Sequence, residues 1–238
     1  MFKYILFDMD GTLLHFDHDE FAREYFTLLG AKLAHLVEPK RLIQQLLFST
    51  EEMVKNLDKN KTNEQVFWDH FTRNLNISAD VLIPVVDQFY AQDFGMVRRV
   101  TKSDINVRKI LNTVIGKGKG IVVATNPIFP MAAVKQRLEW AGVADIPFHH
   151  ITSYEKSHFC KPNVEYYQEI LQQIACRPEE CLMIGNDVEE DLAAGKIGIK
   201  TYLVTDNVIN SKGLEPKADY ISTLAELAAN IEKLLSGD

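Results

Sequence analysis

Phe2-Lys3-Tyr4-Ile5-Leu6-Phe7-Asp8-Met9-Asp10-Gly11-Thr12-Leu13-Leu14 is the stretch that decides the fold of this chain. Phe2 to Phe7 form a short apolar run with β-branched and aromatic members, which predicts a buried strand. The run ends at two carboxylates, Asp8 and Asp10. Gly11 follows, and glycine can turn the chain and let a ligand approach the backbone. Acids at a sharp turn after a strand are typical of the ligand-binding edge of an open α/β sheet, although a lone Asp-x-Asp is more often a solvated turn.

Composition limits the classes of protein to which the chain can belong. It has 238 residues, of which 46% are hydrophobic and 25% charged, as is ordinary for a soluble globular protein of one large or two small domains. The net charge of −7 argues against a nucleic-acid partner. The sequence shows neither a stretch of membrane-spanning length nor a signal-peptide pattern, so we expect a cytoplasmic protein without a membrane partner.

The cysteines and histidines do not predict a zinc site. Cys160, Cys176 and Cys181 are odd in number and lack metal-ligand spacing, and the histidines form no His-x-x-x-His pair. We expect reduced thiols. Cys160 stands beside Lys161, but no neighbouring cysteine in the sequence suggests a resolving partner.

A long helical segment follows the first strand. For about 80 residues after Leu14 the apolar residues recur at helical spacing, which is much longer than an ordinary crossover connection. Four amphipathic helices are predicted, beginning near Asp19, Pro39, Thr62 and Ser78. Pro39 suits a first helical position, and Thr62 with Gln65 suits a capping box. The pattern indicates a small bundle inserted into an α/β protein.

From Asn106 the pattern alternates between strand and helix, which predicts a parallel sheet. One strand, Ile121 to Ala124, ends at Thr125-Asn126. A later strand, Cys181 to Ile184, ends at Gly185-Asn186-Asp187 before a short helix containing Asp191. Between them, Lys161-Pro162 is predicted to open a helix. The glycine-rich run at 116–120 precedes a strand, whereas a phosphate-binding loop follows one, so we interpret it as a connector.

Four parts of the sequence, taken in order, resemble the four motifs of the haloacid dehalogenase-like (HAD) superfamily of hydrolases, in its phosphatase branch. They are Phe-Asp-Met-Asp-Gly-Thr-Leu-Leu at 7–14, Thr125, Lys161, and Asp187 with Asp191. The resemblance implies an α/β fold with a Rossmann-like, parallel-sheet, three-layer core formed by residues 1–15 and 99–238. It also implies that residues 16–98 form an α-helical cap domain of the first type, inserted after the first motif.

The chemistry of these residue types agrees with that resemblance. A carboxylate has an unperturbed pKa of about 4, so Asp8 needs no base to act as a nucleophile. Repulsion between Asp8 and a phosphate dianion must be offset by cations. Mg²⁺ suits the carboxylates of Asp8 and Asp187 with the backbone carbonyl of Asp10, and Lys161 adds a second positive charge. Thr125 and the backbone N–H of Asn126 are expected to bind phosphoryl oxygens.

The expected activity is Mg²⁺-dependent hydrolysis of a small phosphomonoester through an aspartyl-phosphate on Asp8, with Asp10 as general acid and base. Asp191 is implied by the resemblance to help orient Lys161. Glu189 and Glu190 are interpreted as helix-start acids favoured by the macrodipole. Singly, each motif residue has an ordinary structural explanation, such as a solvated lysine or a helix N-cap. Together and in order they favour catalysis.

Two alternatives remain open at this point. One is a phosphomutase with the same core and cap, and the other is a non-catalytic binding protein that keeps the fold. Dehalogenation is disfavoured because cleavage of a carbon–halogen bond needs no acid at the position of Asp10. The sequence predicts a small phosphorylated metabolite as partner and names neither the molecule nor the oligomeric state. Cap residues such as Trp68 are expected to set specificity.

Overall fold

A computed structural model describes residues 1–236 of the chain. Its central sheet contains six parallel strands, which are β1 Tyr4–Phe7, β4 Gly120–Val123, β5 His150–Ile151, β6 Cys181–Gly185, β7 Lys200–Val204 and β8 Tyr220–Ser222. Across the sheet they lie in the order β5-β4-β1-β6-β7-β8. The first strand is therefore central, with β4 and β6 as its neighbours.

Helices cover both faces of this sheet. They are α5 Ile105–Gly116, α6 Met131–Trp140, α7 Val164–Gln173 and α8 Leu224–Ser236, with 3₁₀ turns at Pro178–Glu180 and Leu192–Ile197. Ile5 and Phe7 of β1 are buried in one apolar cluster with α5, α6 and α8, whereas Leu6 is buried in a second cluster with α7. Successive side chains of a strand point to opposite faces. The predicted Rossmann-like three-layer core is thus confirmed.

The four helices predicted to follow the first strand lie between two short strands. β2 His15–Phe16 pairs antiparallel with β3 Thr101–Lys102, where the chain leaves and re-enters the α/β core. We call residues 18–92 the helical insert. It consists of α1 His18–Leu33, α2 Pro39–Lys55, α3 Asn63–Leu75 and α4 Ala79–Gln92, and a 3₁₀ segment at Phe94–Val100 follows it.

Local sequence explains where these helices begin. Pro39 is the first residue of α2, a position where the missing N–H costs no helical hydrogen bond. Thr62 and Gln65 form the predicted capping box at the start of α3, each side chain accepting from the other residue's backbone N–H. No helix in the described part of the chain is long and apolar enough to cross a membrane.

Two predicted helix positions are wrong in detail. The helix expected at Lys161-Pro162 begins at Val164, because Asn163 N–H donates to the Cys160 carbonyl and closes a turn, while Lys161 N–H is bonded to Asn126 instead. The Lys161–Pro162 peptide bond is cis. Asp191 lies just before the 3₁₀ turn at Leu192–Ile197 rather than inside a helix.

Candidate active site

The carboxyl ends of three neighbouring strands form the candidate site. Phe7, the last residue of β1, is in register with Val123 of β4 on one side and Ile184 of β6 on the other. Because parallel strands end at the same edge, the residues that follow them come together. These are Asp8 after β1, Thr125 and Asn126 after β4, and Asp187 after β6.

Lys161 reaches this edge from the loop before α7. Its side chain is fully buried, and its Nζ donates to Oδ1 of Asp8 at 2.7 Å and to Oδ1 of Asp191 at 2.6 Å. Burial lowers the pKa of Lys161, but Asp191 and Asp8 outweigh it and hold that pKa well above the ordinary value. The lysine is therefore a buried, permanent ammonium that joins two carboxylates.

Asp8 presents one oxygen to a ligand. Burial raises the pKa of Asp8 to about 7, and the Lys161 ammonium opposes that rise. Oδ1 is bonded to Lys161, whereas Oδ2 makes no hydrogen bond with any residue of 1–236. Gly11 shapes the turn beyond it, with φ of +89°, and a side chain there would collide with Asn186. The turn that follows Asp8 therefore depends on glycine at position 11.

Hydrogen bonds to the Thr125 carbonyl and to the Asn126 side chain hold these two residues in place. The Thr125 carbonyl accepts from Thr152 Oγ1 at 2.7 Å and from Tyr166 Oη at 2.9 Å, while its own hydroxyl makes no hydrogen bond within the described chain. The Asn126 side chain accepts from Lys161 N–H at 3.2 Å. The loop after β4 and the loop that carries Lys161 are therefore fixed to each other, with the Thr125 hydroxyl left available.

Asp187 and Asp191 form one turn after β6. Oδ1 of Asp187 accepts from the backbone N–H groups of Glu189 and Glu190, both at 2.8 Å, and Oδ2 of Asp191 accepts from Asp187 N–H at 2.9 Å. Burial raises the pKa of Asp187, and its backbone hydrogen bonds oppose the rise. A side chain at Gly185 would collide with the Asp191 carboxylate, so glycine there makes room for this turn.

The donor set suits a hard divalent cation. No group of three or more His, Cys, Asp or Glu side chains in residues 1–236 forms a complete metal cage. Asp8 and Asp187 each keep one oxygen without a hydrogen bond from the described residues, and the Asp10 carbonyl lies in the turn that follows Asp8. Mg²⁺ prefers oxygen ligands and usually retains several waters. Two carboxylates with one carbonyl are therefore compatible with Mg²⁺.

Arg137 was not predicted from the sequence. It lies on α6, is fully buried, and donates from Nη1 to the Asp10 carboxylate. Its guanidinium carbon lies 4.5 Å from the centre of the Phe129 ring, a cation–π contact. In sequence Arg137 looks like an ordinary helix arginine. The strand order that brings α6 beside the first turn is visible only in the fold.

The environment of Glu190 differs from the one predicted from the sequence. It is not a solvated helix-start acid, because Asn126 Nδ2 donates to its carboxylate at 2.8 Å and Tyr167 Oη donates to its backbone carbonyl at 2.8 Å. Burial raises the pKa of Glu190 to about 8, with Lys161 opposing the rise. Glu189, by contrast, faces outward and pairs with Lys212. Helix-start spacing cannot tell these two neighbours apart.

The loop at 206–217, whose role the sequence does not show, packs against the first turn. Its Asn207 carbonyl accepts from Asn186 Nδ2 at 2.8 Å, and the Asn207 side chain contacts His15 at 2.6 Å. Cys160 is buried beside Lys161, and burial raises the pKa of its thiol. That environment disfavours the reactive thiolate.

Comparison with known proteins agrees with this geometry. Residues 2–207 match the family model of the haloacid dehalogenase-like hydrolases. A glyceraldehyde 3-phosphate phosphatase from Methanothermobacter thermautotrophicus is 26% identical over 235 residues, covering 93% of this chain and 91% of that protein. A HAD phosphatase from Thermococcus onnurineus superposes with a TM-score of 0.61 at 16% identity, covering 99% of both chains.

A candidate β-phosphoglucomutase from Thermotoga maritima superposes with a TM-score of 0.60 at 18% identity, covering 98% of this chain and 99% of that one. At such low identities the solved structures are informative about the fold alone, whereas the family model matches most of the sequence. The chain therefore belongs to the haloacid dehalogenase-like hydrolase family.

Proposed function

We propose that this protein is a phosphatase that hydrolyses a small phosphomonoester with the help of Mg²⁺ and through an aspartyl-phosphate on Asp8. The observation that carries the proposal is the pairing of Asp8 with Lys161 at 2.7 Å, which leaves Oδ2 of Asp8 without a protein partner in residues 1–236. A carboxylate oxygen held in this way, beside a permanent cation, is suited to attack phosphorus. The glyceraldehyde 3-phosphate phosphatase among the relatives supports a small substrate.

The reaction needs two displacements at phosphorus. Oδ2 of Asp8 attacks, the bond between phosphorus and the ester oxygen breaks, and protonated Asp10 gives its proton to the departing alkoxide. Water then attacks the aspartyl-phosphate, Asp10 takes a proton from that water, and the bond between phosphorus and Asp8 breaks. Inorganic phosphate leaves and both aspartates return to their starting states. General acid–base help of this kind is typically worth about 10²–10⁴-fold in rate.

Charge neutralisation is the main task of the remaining residues. Two unit charges about 4 Å apart repel by roughly 4 kcal/mol at an effective dielectric constant of 20. Lys161 opposes this repulsion, and the Thr125 hydroxyl with the Asn126 backbone N–H offers donors to phosphoryl oxygens. Mg²⁺ bound by Asp8, Asp187 and the Asp10 carbonyl would supply further positive charge at the phosphoryl group. Asp191 acts indirectly, since it holds the Lys161 ammonium.

We propose that the helical insert works as a cap, so that residues 16–98 form one domain and residues 1–15 with 99–238 form the core. The supporting contacts join α3 to the loop before Lys161. Asn63 N–H donates to the Ser157 carbonyl at 2.8 Å, and Glu64 N–H donates to the Tyr154 carbonyl at 2.9 Å. A cap in this position excludes water and bulky substrates from the site.

A phosphomutase with the same core and cap is the second candidate, since a candidate β-phosphoglucomutase shares the fold. A non-catalytic protein is the third, and the full set of acids around Lys161 argues against it. We further propose a cytoplasmic location, which three free cysteines support, two of them buried. The expected partner is a small phosphorylated metabolite.

Release of inorganic phosphate from a panel of phosphate esters tests the proposal. Wild-type protein is expected to release phosphate steadily with Mg²⁺, to stop when the metal is chelated, and to resume when Mg²⁺ is restored. Asp8→Asn is expected to abolish turnover. Asp69→Asn is the control, since Asp69 is an exposed aspartate paired with Lys61 in the insert. Undiminished turnover by the Asp8 variant would refute the mechanism, and isomerisation without net phosphate release would favour the mutase.

A further inference from the structure

An apolar cavity lies between the helical insert and the α/β core. Its volume is about 170 Å³, and its walls are mostly aromatic and aliphatic side chains from α1 to α4 and from the loop after β4. Tyr25, Trp68 and Phe71 are among the insert residues that line it, and Phe129 is among the core residues. For scale, an engineered apolar cavity of about 150 Å³ binds benzene. The space is therefore large enough for one six-membered ring.

One wall of the cavity belongs to the segment that continues from the loop after β4. Ile128, Phe129 and Pro130 lie on the core side of the cavity, and Pro127 separates them from Thr125 and Asn126. The Phe129 ring contacts the Arg137 guanidinium at 4.5 Å, and that guanidinium pairs with the Asp10 carboxylate. The group proposed to protonate the leaving oxygen is thus two contacts away from the cavity.

Polar groups in the wall are mostly paired with one another. Tyr25 and Tyr90 share a hydrogen bond between their hydroxyls at 2.9 Å, and Trp68 Nε1 donates to Tyr154 Oη at 3.4 Å. Thr50 is the one lining hydroxyl without a partner in residues 1–236. A ligand rich in hydroxyls would leave several of them unpaired here, which is costly. The lining therefore favours an apolar ligand over one rich in hydroxyl groups.

We propose that this cavity receives the carbon skeleton of the leaving group, so that the preferred substrate is a phosphomonoester of an apolar alcohol about the size of benzyl alcohol. The inference rests on the proposed phosphatase function and narrows its substrate class. The ester oxygen lies at Asp10, and the ring or alkyl chain attached to it extends past Phe129 into the cavity. A triose phosphate would leave most of this apolar volume unfilled.

Matched esters separate the cavity from the chemistry. Benzyl phosphate, n-pentyl phosphate and glycerol 3-phosphate all release a primary alcohol, so their leaving groups differ in polarity far more than in reactivity. With Mg²⁺ present, kcat/KM for benzyl phosphate is expected to exceed that for glycerol 3-phosphate at least tenfold, with n-pentyl phosphate also preferred. Equal values, or a preference for glycerol 3-phosphate, would overturn the inference.

Ala22→Phe fills the cavity from α1. The benzyl preference, which is the ratio of kcat/KM for benzyl phosphate to kcat/KM for glycerol 3-phosphate, is expected to fall at least tenfold. Ala31→Phe is the control, because Ala31 is an exposed alanine on the same helix. Leu46→Phe fills the same space from α2 and replaces Ala22→Phe if that variant does not fold. An unchanged preference in a folded filling variant counts against the cavity.

The experiments distinguish loss of the proposed phosphatase function from an error in the substrate class. If no ester releases phosphate, the proposed function fails and the leaving-group assignment fails with it. If esters are hydrolysed without an apolar preference, the substrate class alone is wrong. Binding of benzyl alcohol to the Mg²⁺-loaded protein, followed by NMR, adds a readout without turnover. It is expected to perturb Trp68 in the wild type and the Ala31 variant, and to be lost in the Ala22 variant. No perturbation in the wild type would contradict occupancy of the cavity.

Discussion

The Lys161 ammonium lies 2.6 Å from Asp191 and 2.7 Å from Asp8, so one fully buried cation joins two acids that are far apart in sequence. Removing one member of a buried charge pair generally costs more than the pair contributes, because the other member is left without compensation. Asp191 thereby holds the lysine that pairs with Asp8, the proposed nucleophile.

Asp191→Asn keeps the size of the side chain and removes its charge. Because a misplacement of about 1 Å near the chemistry can cost about 10²-fold in rate, we expect kcat to fall by up to that factor. Stability is expected to fall by about 1–3 kcal/mol, measured by urea unfolding. Glu189→Gln is the matched control, since Glu189 is in the same turn but pairs outward with Lys212. Unchanged kcat in the Asp191 variant would show that Asp8 alone positions the lysine.

Arg137 is expected to hold the Asp10 carboxylate in place for proton transfer. Arg137→Met removes the buried guanidinium, so we expect kcat to fall by about 10²-fold or more and stability by up to about 3–5 kcal/mol. Arg137→Lys restores the charge and should recover part of the rate. Arg108→Met, at an exposed helix arginine paired with Asp145, should change stability by less than about 0.5 kcal/mol. Equal losses in the Met and Lys variants would argue for packing rather than charge.

Glu190 predicts how stability depends on pH when metal is chelated. In the folded protein Glu190 keeps its proton up to a pH of about 8, whereas the ordinary pKa of a glutamate side chain is 4.5. Between these values the folded state binds more protons than the unfolded chain, so stability falls as pH rises through that window. The loss is on the order of 2–5 kcal/mol, and urea unfolding at several pH values measures it. Glu190→Gln should reduce the slope without removing it, because burial also raises the pKa of Asp8 to about 7, whereas Glu189→Gln should keep the slope of the wild type.

Much of the fold was predictable because local patterns and tertiary packing agree. The apolar run at Tyr4–Phe7 is the central strand, and the capping box at Thr62 starts α3. Where hydrogen bonds join loops that are distant in sequence, the local sequence pattern predicts the wrong helix start. Lys161 bonds to Asn126 rather than to a helix, and α7 starts later than predicted.

The residues that sequence analysis missed share one physical feature. Arg137 and Glu190 are charged residues in helix or turn patterns where solvent exposure is the ordinary expectation, and both are made internal by partners far away in sequence. Arg137 meets Asp10 only because α6 packs beside the first turn. Glu190 meets Asn126 only because β4, β1 and β6 are neighbours. Such pairings follow from topology and carry no local pattern.

Asn63, the first residue of α3, joins the helical insert to the two loops that carry Asn126 and Lys161. Its Nδ2 lies 3.3 Å from the Pro127 and Phe159 carbonyls and 3.2 Å from Sγ of Cys160, and the side chain is fully buried. Asn63→Ala removes these contacts and leaves the carbonyls without this donor, so we expect a loss of about 1–3 kcal/mol in stability.

The same change should loosen the insert from the loops that carry Asn126 and Lys161. We therefore expect kcat to fall and hydrogen exchange to increase at the Ser157 and Tyr154 contacts of α3. Asn60→Ala is the control, because Asn60 lies in the preceding loop, is exposed, and bonds through its side chain to Asp58. If exchange at α3 rises while kcat stays constant, docking of the insert is not coupled to catalysis. If neither changes, Asn63 is simply a buried amide whose contacts are replaced by water.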